Sequence, residues 1–227
     1  MSVFKNRVDF MSICAVYDAN PNGDPLFDNR PRTDFIGLGE ISPECCKRKL
    51  KNRAQDLGMP IYHQMEDRVD DGFANLYDRA VNAGLKDIKD ANEYYKKVCG
   101  IWYDVRAFGG VFANKDFKLP SVGVRGAVTV CNTKSVDIVD VASYQITKSA
   151  SAQKGTNEGR DTMGMRHFVR FGVYKIMGSI NPQIASKTGF TEEDAEVLKE
   201  SLRTMFINDE SAARPAGSME VVKLIWC

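Results

Sequence analysis

The chain has 227 residues, of which 43% are hydrophobic and 27% charged, with a net charge of +1. A composition this close to the globular average excludes disordered and collagenous classes and is read as a single domain, residues 1–227, with insertions. Apolar runs fall far below the roughly 18 residues a membrane helix requires, and Met1-Ser2-Val3-Phe4-Lys5 opens no signal peptide, so a cytoplasmic location is expected.

Val8 to Tyr17 is apolar on both alternating faces and is read as a first strand, covered on two sides. Asp18 to Pro25 is a cluster of turn formers and must be a loop. Ser42 to Leu57 reads as a helix, with Pro43 at its first position, Gly58 and Pro60 beyond its end, and Cys46, Leu50, Ala54 and Leu57 on one stripe. Lys47 and Lys51 then lie on one flank of the stripe, Lys49 and Arg53 on the other. Residues 59–98 are acidic and polar, with helical fragments at Ala74–Ala80 and Ala91–Val98, and are read as an inserted, finger-like segment. Val122 to Val130 alternates as a second strand. Residues 143–166 are rich in Ser, Thr, Gln, Lys and Gly, and 143–168 is expected to form an exposed, mobile, thumb-like projection. Val169 to Ile180 is a third strand. Thr191 and Asp194 have capping-box spacing ahead of a helix with Ala195, Leu198, Leu202 and Met205 in its apolar stripe, and Met219 to Trp226 is the last strand. The order βαββαβ predicts an α+β fold with a ferredoxin-like or RNA-recognition-motif core and two insertions.

The near-neutral total hides a basic middle: residues 105–175 hold 11 Lys and Arg against 5 Asp and Glu. Such an excess suits a polyanion, because cations that neutralise phosphates release condensed counterions. Six cysteines without Cys-x-x-Cys spacing and only two histidines, His63 and His167, predict reduced thiols, no metal and no cofactor. Four aspartates between Asp18 and Asp34 are scattered among prolines rather than set at calcium-loop spacing, which favours turn and capping roles. Arg170-Phe171-Gly172-Val173-Tyr174 has the Arg, aromatic and Gly of an RNA-recognition strand, a string that ordinary apolar strands also produce.

Asn20-Pro21-Asn22-Gly23-Asp24-Pro25, continuing to Asn29-Arg30-Pro31-Arg32-Thr33-Asp34, is the most specific string in the chain. With Cys46-Lys47-Arg48-Lys49-Leu50, Tyr103 to Gly109, Val124-Arg125-Gly126, Ile146-Thr147-Lys148, Thr162 to His167 and Ser211-Ala212-Ala213-Arg214, it resembles the Cas seven family, the backbone subunit of type I CRISPR Cascade complexes, and of these the type I-C subtype. The resemblance implies a non-catalytic antiviral-defence subunit. Copies would polymerise as a helical filament along a guide crRNA, beside other Cascade subunits, and present its bases to target DNA. It implies RNA contacts by Arg30, Arg32, Lys47, Lys49, Lys51, Arg106, Arg125, Thr147, Lys148, Arg166 and His167, and a thumb wedge at Met163 or Met165. This chain has Ser42-Pro43 where relatives carry Thr-Asp, a pair that can equally begin a helix. The alternative is a metal-dependent ribonuclease of the kind found among type III relatives, with Asp24 or Asp34 as the cutting residue.

Overall fold

A computed structural model describes residues 2–147 and 163–227. Its centre is an antiparallel sheet that begins with β1 (Val8–Ala19), a strand that pairs with two others at once. A short hairpin, β2 (Gly23–Asp24) and β3 (Arg30–Pro31), follows, then β4 (Leu38–Ile41) and helix α1 (Pro43–Asp56). Next come α2 (Leu76–Asn82), α3 (Ala91–Ile101) and α4 (Tyr103–Phe108), and the hairpin β5 (Gly109–Ala113) and β6 (Ser121–Arg125). The chain returns to the sheet with β7 (Val128–Val130), β8 (Thr133–Ile138), β9 (Val141–Thr147) and the long β10 (Met163–Ile180). It ends with α5 (Pro182–Thr188), α6 (Glu192–Thr204) and β11 (Met219–Trp226). The sheet order is β11-β1-β10-β8-β4, with β7 and β9 also paired to β10.

Local chemistry sets the two long helices. Ser42 accepts from the Cys45 N–H at 3.2 Å, Pro43 follows, and Gly58 turns out at φ +86°. In α6 the Thr191 hydroxyl accepts from the Asp194 N–H and the Asp194 carboxylate from the Thr191 N–H, a complete capping box. Both helices lie on one face of the sheet. Cys46, Leu50 and Ala54 of α1 and Ala195, Leu198 and Leu202 of α6 pack with Val8, Phe10, Cys14 and Val16 of β1 and with Tyr174, Ile176 and Ile180 of β10. Each large aliphatic side chain buried here contributes about 1.5–3 kcal/mol, and Leu50→Ala alone would cost about 2–5 kcal/mol. A second apolar cluster, from Tyr62 to Val124, is built by α2, α3, α4 and the β5–β6 hairpin around Tyr94, Trp102 and Phe112.

Two expectations are corrected. β1 is covered on one side only: Met11 and Ile13 are half-exposed and Tyr17 exposed, because α1 and α6 pack on the opposite face. The strand expected over Val122–Val130 is two strands. Val122 and Val124 enter the second cluster while Val128 and Val130 enter the main core, and the break is at Gly126, where a Cβ would lie 2.3–2.4 Å from backbone atoms of Ala107, Phe108 and Gly109. Flanking the segment expected as a projection, Val141–Thr147 and Met163–Val169 form an antiparallel ribbon beyond the body of the sheet.

Candidate nucleic-acid interface

The loop after β1 supplies the base of the site. Asp18, Asp28 and Asn29 adopt positive φ (46°, 52° and 54°), a conformation that Asn and Asp tolerate better than other non-glycine residues. The hairpin therefore folds back on itself. The Asn20 Nδ2 donates to the Asn29 carbonyl at 2.6 Å, and the Asn20 N–H donates to the Ala213 carbonyl at 2.9 Å. The β9–β10 ribbon forms the second wall. Its register sets Ser143 opposite His167, and the Ser143 hydroxyl lies 2.7 Å from His167 Nδ1 and accepts from Arg30 Nη1 at 3.2 Å. His167 Nε2 is 3.4 Å from the Asp28 carboxylate, and Arg166 Nη2 donates to the Ala212 carbonyl at 2.7 Å.

Segments far apart in the chain, 20–29, 146 with 165–167, and 212–213, thus enclose one groove of about 250 Å³, lined by Asn20, Asp28, Asn29, Ile146, Met165, Arg166 and His167 among others. Asn20 is buried, and its Oδ1 has no hydrogen-bond partner among the described residues. A buried acceptor left unpaired costs about 1–3 kcal/mol. Met163 and Met165 on the ribbon are 62% and 48% exposed, and Gln145 Nε2 contacts the Met163 sulfur. Thr147 closes β9 opposite Met163 and is exposed. Lys148 lies outside the described residues.

The basic residues expected along α1 and α4 divide sharply. Lys49 is buried and ion-paired with Asp209, which Arg214 also engages at 3.1 Å. Lys51 lies 3.2 Å from Asp104, and Arg106 makes a bidentate pair with Asp194 at 2.8 Å for both contacts. These three side chains hold elements together: α1 to the segment after α6, α1 to α4, and α4 to α6. Arg32 is half-engaged, 3.3 Å from Asp24. Lys47 is partly exposed and Arg125 exposed, and neither has an ion-pair partner among the described residues. Among the described residues, Arg30, Arg166, Lys47 and Arg125 are therefore the expected cations that retain accessible charge.

Asp104 is fully buried. It accepts from the Tyr62 N–H (2.7 Å) and the His63 N–H (3.2 Å), and lies 2.8 Å from His63 Nδ1. Burial alone would raise its carboxyl pKa, but these hydrogen bonds and the Lys51 charge hold it down at about 2. Burial pulls the Lys51 ammonium below its ordinary value even though Asp104 opposes it. The carboxylate's own hydrogen bonds, which include two backbone donors, are the firmer anchor of the cluster.

The loop aspartates serve local structure. Asp24 accepts from the Leu26 N–H and pairs with Arg32; Asp34 accepts from Ile36 and Leu38 and from Lys134 at 2.8 Å. Among the described residues no three His, Cys, Asp or Glu side chains converge on a point that could hold a metal ion. Sequence reasoning overlooked Ser143 and Asp209, and read Asp28 only as one of the loop carboxylates. Ser143 has no local signal, being one serine in a polar stretch, and only strand register reveals its role. The Asp28-Asn29 pair carried a signal in its tolerance of left-handed backbone.

The model of the family described as CRISPR-associated protein Cas7 matches residues 6–227. A CRISPR-associated protein Cas7 of Haloferax volcanii is 25% identical over 218 residues, covering 85% of this chain and 62% of that protein, so the chain spans under two thirds of this curated relative's length. Among solved structures, a chain of a "CRISPR RNA-guided surveillance complex, pre-nicking" superposes with a TM-score of 0.57 at 15% identity, covering 96% of this chain and 77% of the other. A chain of a "CRISPR RNA-guided surveillance complex" gives 0.52 at 20% identity, covering 92% and 65%. The two superpositions show a shared fold, and the match over residues 6–227 shows that the chain belongs to the CRISPR-associated Cas7 family.

Proposed function

We propose that this protein is a non-catalytic backbone subunit of a type I-C Cascade complex in the cytoplasm. Its copies line up along a crRNA, grip its backbone, and leave the bases free to pair with target DNA. The observation that carries the reading is the convergence of the 20–29 loop, the β9–β10 ribbon and Ala212–Ala213 on one groove lined by Arg166, with Arg30 held beside it on Ser143. A sequence-blind RNA binder needs phosphate and ribose contacts rather than base-edge contacts. Arg30, Arg166, Lys47 and Arg125 supply charge for phosphates. Met163 and Met165, exposed on the ribbon, are the candidates for a side chain that separates successive bases.

The strand order β11-β1-β10-β8, with α1 and α6 on one face, supports reading the core as ferredoxin-like. The engagement of Asp24 and Asp34 as turn caps and ion-pair partners supports a scaffold rather than a nuclease.

Fluorescence anisotropy with a labelled single-stranded RNA, titrated at several salt concentrations, tests the proposal. Log affinity should fall linearly with log salt, with a slope of about 0.7 per phosphate neutralised. Arg30→Ala should lower affinity by a similar factor for every RNA sequence. Absence of binding at low salt, or loss confined to particular sequences, would refute the proposal. Cleavage of the RNA in magnesium, abolished by Asp24→Ala or Asp34→Ala, would favour the nuclease instead.

A further inference from the structure

The uncovered face of the central sheet carries two features that the groove does not use. Tyr17 of β1 and Phe171 of β10 are direct cross-strand partners, so their rings stand on the same side of the sheet. The ring centroids are 5.2 Å apart, tilted by 42°, and the side chains remain 43% and 53% exposed. An aromatic pair in the middle of a sheet normally seeks burial; this one presents both rings to solvent on the two central strands.

Four residues along, the register aligns Lys134 of β8, Lys175 of β10, Ile13 of β1 and Lys223 of β11 in one row across the sheet. Like charges directly opposite one another destabilise a sheet, so packing gives no reason for Lys134 and Lys175 to be partners. Lys134 is neutralised by Asp34 and Glu40, whereas Lys175 and Lys223 are exposed and have no ion-pair partner among the described residues. At about 3.3 Å per residue, the lysine row lies about 13 Å from the aromatic pair. Among the described residues, Glu220, also on this face beside Ala15, is the one acid between the two features.

Rings for bases and ammonium groups for phosphates, within a few nucleotides of each other, are the two parts of a single-stranded nucleic-acid platform. We infer that the open face of the sheet is a second RNA-binding surface, on which an unpaired base stacks against Tyr17 and Phe171 while Lys175 and Lys223 hold the adjoining phosphates. Arg170-Phe171-Gly172 acquires a role here: Phe171 faces out, and Gly172 faces the core, where a Cβ would lie 3.0 Å from Tyr174 and Val139. The inference rests on the proposal that this chain binds RNA, and adds the open sheet face, whose residues do not line the ribbon groove.

The test compares a 12-nucleotide oligouridine with an abasic ribose-phosphate oligomer of equal length, both bound to the full chain. Phe171→Leu and Tyr17→Leu should weaken oligouridine binding at least fivefold, within the range of about 5- to 150-fold for loss of one base–aromatic stack, and leave the abasic oligomer unchanged. Phe171→Trp should retain binding. Lys175→Gln with Lys223→Gln should lower the salt slope by about 1.4. In the unaltered protein, 5-iodouridine photocrosslinks should map to Tyr17 or Phe171, a readout independent of any effect of mutation on folding. Wild-type affinity in Phe171→Leu together with no crosslink on β1 or β10 would overturn the inference. So would a change in sedimentation mass with RNA affinity intact, which would assign the face to contacts between protein copies. If the wild-type chain binds neither oligomer, the proposed function itself falls and this surface with it; if it binds both and the aromatic variants are silent, only this surface does.

Discussion

Replacing Asp104 with Asn removes one negative charge from a fully buried site while preserving its shape. In the wild-type chain that carboxylate accepts from two backbone N–H groups and lies within 3.2 Å of Lys51 Nζ and 2.8 Å of His63 Nδ1. Breaking a buried pair from one side costs about 3–5 kcal/mol, because the remaining charge is stranded. Part of that cost must depend on pH. The folded carboxyl is depressed from 3.8 to about 2, a gap that corresponds to roughly 2 kcal/mol at about 1.36 kcal/mol per pKa unit. For a depressed carboxyl the stabilisation is fully present above the unfolded pKa and is lost as pH falls through the folded one. Urea unfolding followed by circular dichroism should therefore show Asp104→Asn destabilised by about 3–5 kcal/mol at pH 7, with the difference from wild type shrinking by about 2 kcal/mol as the pH approaches 2. RNA affinity of the folded variant should stay within about threefold of wild type, since Lys51 acts here as a tether for α1 rather than as a phosphate contact. An unchanged unfolding midpoint, or a difference independent of pH, would refute the description of this cluster.

Other substitutions separate structural cations from accessible ones. Arg106→Ala should cost about 3–5 kcal/mol by stranding Asp194, with the salt slope of RNA binding unchanged; Lys47→Ala should leave the melting curve in place and lower that slope by about 0.7. Thr191→Ala removes the capping-box acceptor and should cost about 1 kcal/mol in urea unfolding. Gly126→Ala places a Cβ within 2.4 Å of rigid backbone and should abolish the two-state unfolding transition or shift it by at least about 3 kcal/mol. Cys14 and Cys46 are buried, with their thiols pushed up to about 12 by desolvation, whereas Cys131 and Cys227 are exposed. A thiol reagent at pH 8 should label the latter two rapidly and reach the former two only in denaturant.

Helix α1 shows how far local sequence carries. Its cap, its Pro43 start and its Cys46-Leu50-Ala54 stripe follow from residue chemistry within a few positions, and the same holds for the Thr191–Asp194 box of α6 and for the last strand. The motif strings pointed to the family. They could not say which cation faces solvent. Lys47, Lys49 and Lys51 look alike along the helix, yet Asp209 and Asp104, more than 50 residues away in the chain, capture Lys49 and Lys51 and leave Lys47 accessible. Val122–Val130 alternates like one strand because side-chain period does not reveal that Gly126 must pass against the backbone of α4. The open side of β1 is likewise a matter of where α1 and α6 pack.

What the sequence determined by itself is the set of local elements and the inventory of charges, since helix caps, turns and apolar periodicity act over a few bonds. Tertiary structure alone decided which charges are consumed in ion pairs, which sheet face stays uncovered, and which of the family's segments meet at the ribbon groove. Those outcomes depend on partners brought together by strand register and helix packing, and a residue's neighbours across a sheet are not written in its neighbours along the chain.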